Sequence, residues 1–126
     1  MSAGNGQRTL LSASTITGDE VYNLKDEALG TIEDIMLDTQ NGEIRYAVLS
    51  CGGFLGMGDR LFAIPWSALT LDSANKRFTL DVDKKRLEDA PGFAKENWPS
   101  WSDPSWSNSV DSYYRANQPG TTTATR

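Results

Sequence analysis

The side chains able to do chemistry in this sequence begin with Glu33 and Asp34, adjacent carboxylates, and with Asp38 shortly after them. Two carboxyl groups that converge on one bond can divide the roles of acid and base between them. Neighbours on a strand, however, point to opposite faces, so this pair cannot share a substrate unless a bulge turns one of them. Asp38 closes the same strand beside a turn, and ordinary turn and edge polarity accounts for all three. There is no histidine, which removes Ser-His-Asp and Cys-His nucleophilic arrangements, imidazole acid–base work and histidine-bearing metal sites. The single cysteine, Cys51, excludes an internal disulfide framework and a cysteine-based zinc site. Set in an apolar strand, it reads as a small buried hydrophobe. The sequence therefore names no catalytic residue, no metal ligand and no cofactor-binding residue, and no enzyme activity is expected.

Gly52, Gly53, Gly56 and Gly58 invite a phosphate-loop reading. It fails in detail: counted from Gly56, Leu61 stands where the last glycine of G-x-G-x-x-G belongs, and no Lys-Ser/Thr or long helix follows. A wide hairpin loop needing positive φ explains the glycines. Phe54, Leu55 and Met57 at its tip either fold over the domain's own mouth or meet a partner. The second aromatic puzzle is NWPSWSDPSWSNS, residues 97–109, which holds Trp98, Trp101 and Trp106 of the chain's four tryptophans. Asp103-Pro104 reads as a helix start, a cap followed by proline at the first helical position. Trp106, Val110, Tyr113 and Tyr114 then fall on one stripe. Aromatic platforms that stack sugars or bases add a convergent polar or basic set, which is missing here. The segment is expected to pack on its own domain or a neighbour's. Phe54, Leu55, Met57, Trp98, Trp101, Trp106, Tyr113 and Tyr114 are the candidate protein-contact residues.

The elements that must position these residues are mostly strands. Ile16–Leu24 reads as a strand with a tight turn near Thr17-Gly18-Asp19. TIEDIMLD, residues 31–38, has apolar residues on both parities, and a β-bulge at Glu33-Asp34 would return them to one face. Asn41-Gly42 is a strong hairpin signal. The return strand EIRYAVLSC, residues 43–51, is apolar on both parities, so it is covered on both faces or bent around a closed barrel. LFAIPW follows as a strand, then two short strands around Ser73-Ala74-Asn75, with Phe78, Leu80 and Val82 alternating. Asp83 can cap a short helix, Lys84–Asp89, ended by Ala90-Pro91-Gly92. Short strands with Gly and Asn turns make a small β-barrel or sandwich.

Composition bounds the partners. The chain has 126 residues, 38% of them apolar, and a formal charge of −5. Residues 1–8 and 117–126, nearly devoid of large apolar side chains, read as disordered tails. The one dense basic run, Lys84-Lys85-Arg86, is followed at once by Glu88 and Asp89, which marks a solvated helix face rather than a phosphate patch. Direct nucleic-acid binding is not expected. An acidic surface suits a basic protein partner, or simply solubility. No run approaches the ~18 apolar residues of a membrane span, and a soluble, cytoplasmic protein without membrane insertion is expected.

From Leu29 to Leu69 the order of elements is distinctive: Leu29-Gly30 before a strand ending at Asp38, then Asn41-Gly42, a Tyr46-containing strand, Gly52-Gly53, Gly56-x-Gly58 and AIPW at residues 63–66. In this series the chain resembles the PRC-barrel family, the small β-barrel of the photosynthetic reaction centre H subunit and of the ribosome maturation factor's C-terminal half. The segment from APGFAKENWP to Tyr113-Tyr114 also looks like the extension on stand-alone bacterial members. The resemblance implies a non-enzymatic adaptor working through protein contacts, with no catalytic motif to carry over. The sequence shows neither the membrane anchor of the one relative nor the N-terminal domain of the other, so neither specific role is transferred. The expected architecture is all-β: a six-stranded PRC-like barrel over residues 9–90, then an aromatic extension with a short helix over 91–116. The expected function is a protein-interaction or assembly module, with a homodimer or higher homo-oligomer among its states. The alternatives are an accessory factor in RNA processing or ribosome maturation, which the resemblance favours and the acid balance opposes, and a small-ligand-binding barrel.

Overall fold

The computed structural model describes residues 10–51 and 60–116. Ser12 opens a single helical turn, α1 (Ala13–Ile16), by accepting the Thr15 backbone N–H on its hydroxyl. Then follow β1 (Glu20–Tyr22), β2 (Ala28–Asp38), β3 (Glu43–Ser50), β4 (Arg60–Pro65), a 3₁₀ turn (Trp66–Ala68), β5 (Leu69–Asp72) and β6 (Arg77–Leu80). Helix α2 (Lys84–Glu88), β7 (Gly92–Ala94) and helix α3 (Pro104–Ala116) complete the order. One sheet runs β5-β6-β1-β2-β3-β4-β7. All neighbours are antiparallel except β1 and β6, which pair in parallel.

The sheet corrects the sequence reading twice. Among the described residues it has seven strands rather than six and does not close: β5 and β7 stay as edges. The added strand is β7, in which Gly92, Phe93 and Ala94 pair with Phe62, Leu61 and Arg60. Three residues are too few to show a period of two, so the sequence reads this strand as the start of the extension. The first strand is also shorter than its apolar pattern suggested. Ile16 ends α1 and buries its side chain from there, because the Ser12 cap and the Ile16 N–H to Ser12 carbonyl bond make a helical turn.

The expected bulge is present. Ile32 faces Leu49 and Asp34 faces Val48, leaving Glu33 as the extra residue, after which Ile35 faces Ala47. Residues opposite one another share a face, so Ile32 and Ile35 point inward together with Leu49 and Ala47. The Asn41-Gly42 hairpin also forms, with Gly42 at φ 75°.

Strand β3 buries Tyr46, Ala47, Val48 and Leu49 in succession, and β4 buries Leu61 through Pro65. Both strands are covered on two faces, as the uninterrupted apolar sequence required. Ala47, Leu49, Phe62 and Ile64 form the inner set. Tyr46, Val48, Leu61, Ala63 and Pro65 form the outer set, which Phe93 joins through its pairing with Leu61. What covers this outer face is the segment after β7.

Candidate functional site: an aromatic face made by the C-terminal arm

Two strands supply the floor of the site. Tyr46 on β3 and Phe93 on β7 stand on the outer face of the sheet, and the arm from Lys95 to Asp103 lays Trp98 and Trp101 over them. Helix α3 starts at Asp103, whose carboxylate accepts the Ser105 backbone N–H at 3.0 Å and its hydroxyl at 2.9 Å. Proline at the first helical position fixes the entry. The helix then brings in Trp106. Trp101 lies 5.8 Å from Tyr46, 5.9 Å from Phe93 and 5.1 Å from Trp106, and Trp98 lies 5.1 Å from Phe93. The contacts of Trp101 with Phe93 and with Trp106 are edge-to-face, the arrangement in which ring edges meet the electron-rich faces of their neighbours.

Further along α3, Val110 and Tyr114 are fully buried while Trp106 and Tyr113 are partly so. The predicted stripe is therefore the buried face of the helix, docked on the barrel of its own chain. Two polar clasps hold it. The Tyr46 hydroxyl donates to Asp111 at 3.2 Å. Arg86 of α2 stacks 4.0 Å above the Tyr113 ring and donates to the Tyr113 carbonyl at 3.4 Å, while the Tyr113 hydroxyl donates to the Arg86 carbonyl. The sequence reads Arg86 as part of a solvated basic face, but the fold uses it as a clasp, while Lys85 keeps an exposed pair with Asp89 at 3.9 Å.

Burial sets the protonation of this region. It raises the pKa of Tyr46, with the Asp111 charge adding to the effect, and it raises those of Tyr113 and Tyr114. The Tyr114 hydroxyl is buried without a hydrogen-bond partner among the described residues. The Cys51 thiol, also buried, is pushed up to about 12, so it stays uncharged at neutral pH and is a poor nucleophile.

The candidate contact residues thus fall into four groups. Tyr114 belongs to the core and Tyr113 to a clasp. Trp101 and Trp106 are half-covered, and Trp98 remains 37% exposed. Phe54, Leu55 and Met57 lie outside the described residues. Sequence reasoning missed Tyr46, Phe93, Arg86 and Asp111. The Tyr46–Asp111 bond joins residues 65 positions apart and leaves no local pattern; Phe93, an isolated aromatic after Pro91-Gly92, is the available hint.

The carboxylates do not converge. Glu33 lies 4.0 Å from Lys95, Asp34 accepts the Ile35 N–H, and Asp38 accepts the Gln40 N–H in the hairpin turn. No group of three or more His, Cys, Asp or Glu placed to hold a metal occurs among the described residues. A cleft of about 460 Å³ beside α2 is lined by opposed charges, with Lys25, Lys85 and Arg86 facing Asp81, Asp83 and Asp89. A smaller one of about 250 Å³ lies between the end of α3 and the 3₁₀ turn, bordered by Arg45, Ser67, Asp111 and Tyr114. Among the described residues no helix is long and apolar enough to cross a membrane.

No curated protein matches. Among solved structures, a RimM from Pseudomonas aeruginosa, named as a 16S ribosomal RNA processing protein, is similar at 20% identity and a TM-score of 0.42; the match covers 60% of this chain and 45% of that one. The chain thus spans less than half the length of that protein. The model of the PRC-barrel domain matches residues 8–87, which takes in β1 through β6 and nearly all of α2 and leaves out β7, the arm and α3. The chain belongs to the PRC-barrel domain family.

Proposed function

We propose that the chain is a non-enzymatic protein-interaction or assembly module in which the barrel positions an aromatic contact surface for a protein partner. The supporting observation is the state of Trp98, Trp101 and Trp106 after the arm has docked. All three remain partly open at the surface, in one cluster with Tyr46 and Phe93. Tryptophan is a large, rigid contact residue and is enriched where interfaces carry their energy. A cytoplasmic setting and a homo-oligomeric state belong to the same proposal.

The test is affinity capture from native lysate with the full chain, together with sedimentation of the purified protein over a range of concentrations. A specific partner or reversible self-association is expected. A strictly monomeric protein that captures nothing would defeat the reading, as would a hydrolytic activity abolished by Glu33→Gln with Asp34→Asn. Family membership favours a second reading, an accessory factor in RNA processing or ribosome maturation. Co-sedimentation with ribosomal particles would support it, and the net charge of −5 predicts that contact with RNA itself is weak.

A further inference from the structure

Trp98 is the most open ring of the cluster, and it is held in place. Its indole N–H donates to the Lys95 carbonyl at 2.8 Å, and its ring rests against Phe93 at 5.1 Å and Trp101 at 6.1 Å. A ring fixed in this way has little further ordering to do on binding. The charged residues that neighbour it in sequence, or that meet those neighbours, are mostly negative. Glu96 precedes it by two residues, Asp103 follows Trp101 by two, and Glu33 on the bulge of β2 reaches Lys95 at 4.0 Å. Lys95 precedes Trp98 by three residues, and its pairing with Glu33 is long and exposed, which makes it easily exchanged. Acidic side chains around an electron-rich ring repel phosphates and carboxylates, while both the acids and the ring face attract a cation.

The same molecule already contains a filled version of this arrangement. Arg77 lies 4.1 Å above the Tyr22 ring and pairs with Asp26 at 2.7 Å and Asp72 at 3.4 Å. That is one aromatic face and two carboxylates around one guanidinium. The surface at Trp98 combines an exposed indole with neighbouring carboxylates. We propose that Trp98, with Glu33 and Glu96, is a receptor for an arginine-bearing basic segment of a partner protein, the guanidinium stacking on the indole. This rests on the interaction-module reading and names the partner's chemistry. Arginine suits the site better than lysine because its planar group stacks and pairs at once.

The probe is a synthetic peptide of alternating glycine and arginine, blocked at both ends, titrated into the full chain while the indole N–H resonances are followed. The arginine peptide is expected to shift the Trp98 resonance, its lysine counterpart to bind more weakly, and its glutamate counterpart not to bind. Trp98→Ala should weaken binding about 3- to 10-fold, and Trp98→Phe, which keeps a ring against Phe93, should fall between. Glu33→Gln with Glu96→Gln should weaken binding at low salt and flatten its salt dependence. Glu88→Gln on α2 serves as the control and should change nothing. Failure of the arginine peptide to bind, equal binding by the glutamate peptide, or undiminished binding by Trp98→Ala overturns the site. The wider reading is decided separately: partner capture that survives Trp98→Ala sinks this receptor and leaves the interaction module standing.

Discussion

A β-carbon at Gly30 would lie 2.5 Å from the Ser50 carbonyl oxygen and 3.3 Å from Cys51 Cα. Both are backbone atoms beside the β2–β3 ladder, where Thr31 faces Ser50 and neither can step aside cheaply. Gly30→Ala should therefore destabilise the domain by about 1–3 kcal/mol, read as a lower urea midpoint; an unchanged midpoint would mean that the strands part freely. The Leu29-Gly30 pair was visible in the sequence, but the reason for its glycine is a contact twenty residues away along the chain, and no local rule predicts it. Tyr114 shows the opposite case. Its ring fills the core under α3, yet its hydroxyl has no partner there among the described residues. Burying an unpaired hydroxyl is unfavourable by about 1–3 kcal/mol. Tyr114→Phe is expected to leave stability unchanged or raise it, with a higher melting temperature as the sign. A clear drop would reveal a bond to the hydroxyl.

Among the elements, those governed by neighbouring residues were legible. Asn41-Gly42 made its hairpin, Glu33 its bulge, and Asp83 caps α2 by accepting the Arg86 N–H. Elements stabilised by distant partners were not. Strand β7 exists because β4 offers it an edge, and α1 turned where an apolar alternation had read as a strand. The arm illustrates both: its helical stripe was plain in the spacing, while its seat on Tyr46, Phe93 and the outer face of β4 was not. A chain stopped after Lys95 keeps β7 and loses Trp101, Trp106, Val110 and Tyr114, which cover that face. Circular dichroism should still report the strands, while light scattering should show aggregation, because the bared surface includes Tyr46, Val48, Leu61 and Ala63. A shortened chain that stays soluble and melts where the full chain does would mean that the arm adds nothing to the barrel.

For the molecule as a whole, four buried or half-buried acids of high pKa tie stability to alkaline pH. Burial pushes the Cys51 thiol from 9.0 up to about 12 and raises Tyr46, Tyr113 and Tyr114 above 10.0. As pH rises through 9 to 12 the unfolded chain gives up these protons first, so the folded chain holds more of them, and stability falls with pH. Below about pH 9 the contribution is fully present. Urea midpoints should be level from pH 7 to 8.5 and decline beyond, and Cys51→Ala should soften the early part of the decline. A midpoint that holds steady to pH 11 would mean that these groups are solvated after all.

The covering of one face by a later segment also sets an order in time. Strands β3 and β4 are complete once Pro65 has been made, but Tyr114 follows about 50 residues later. At about 5–20 residues per second, synthesis leaves the outer face of the sheet bare for about 2–10 s in every new chain. During that interval the nascent barrel resembles the shortened chain, with an apolar wall facing its crowded surroundings. Slow translation between residues 66 and 114 would prolong the exposure, so the yield of native protein depends on the speed at which the message is read as well as on the stability of the finished fold.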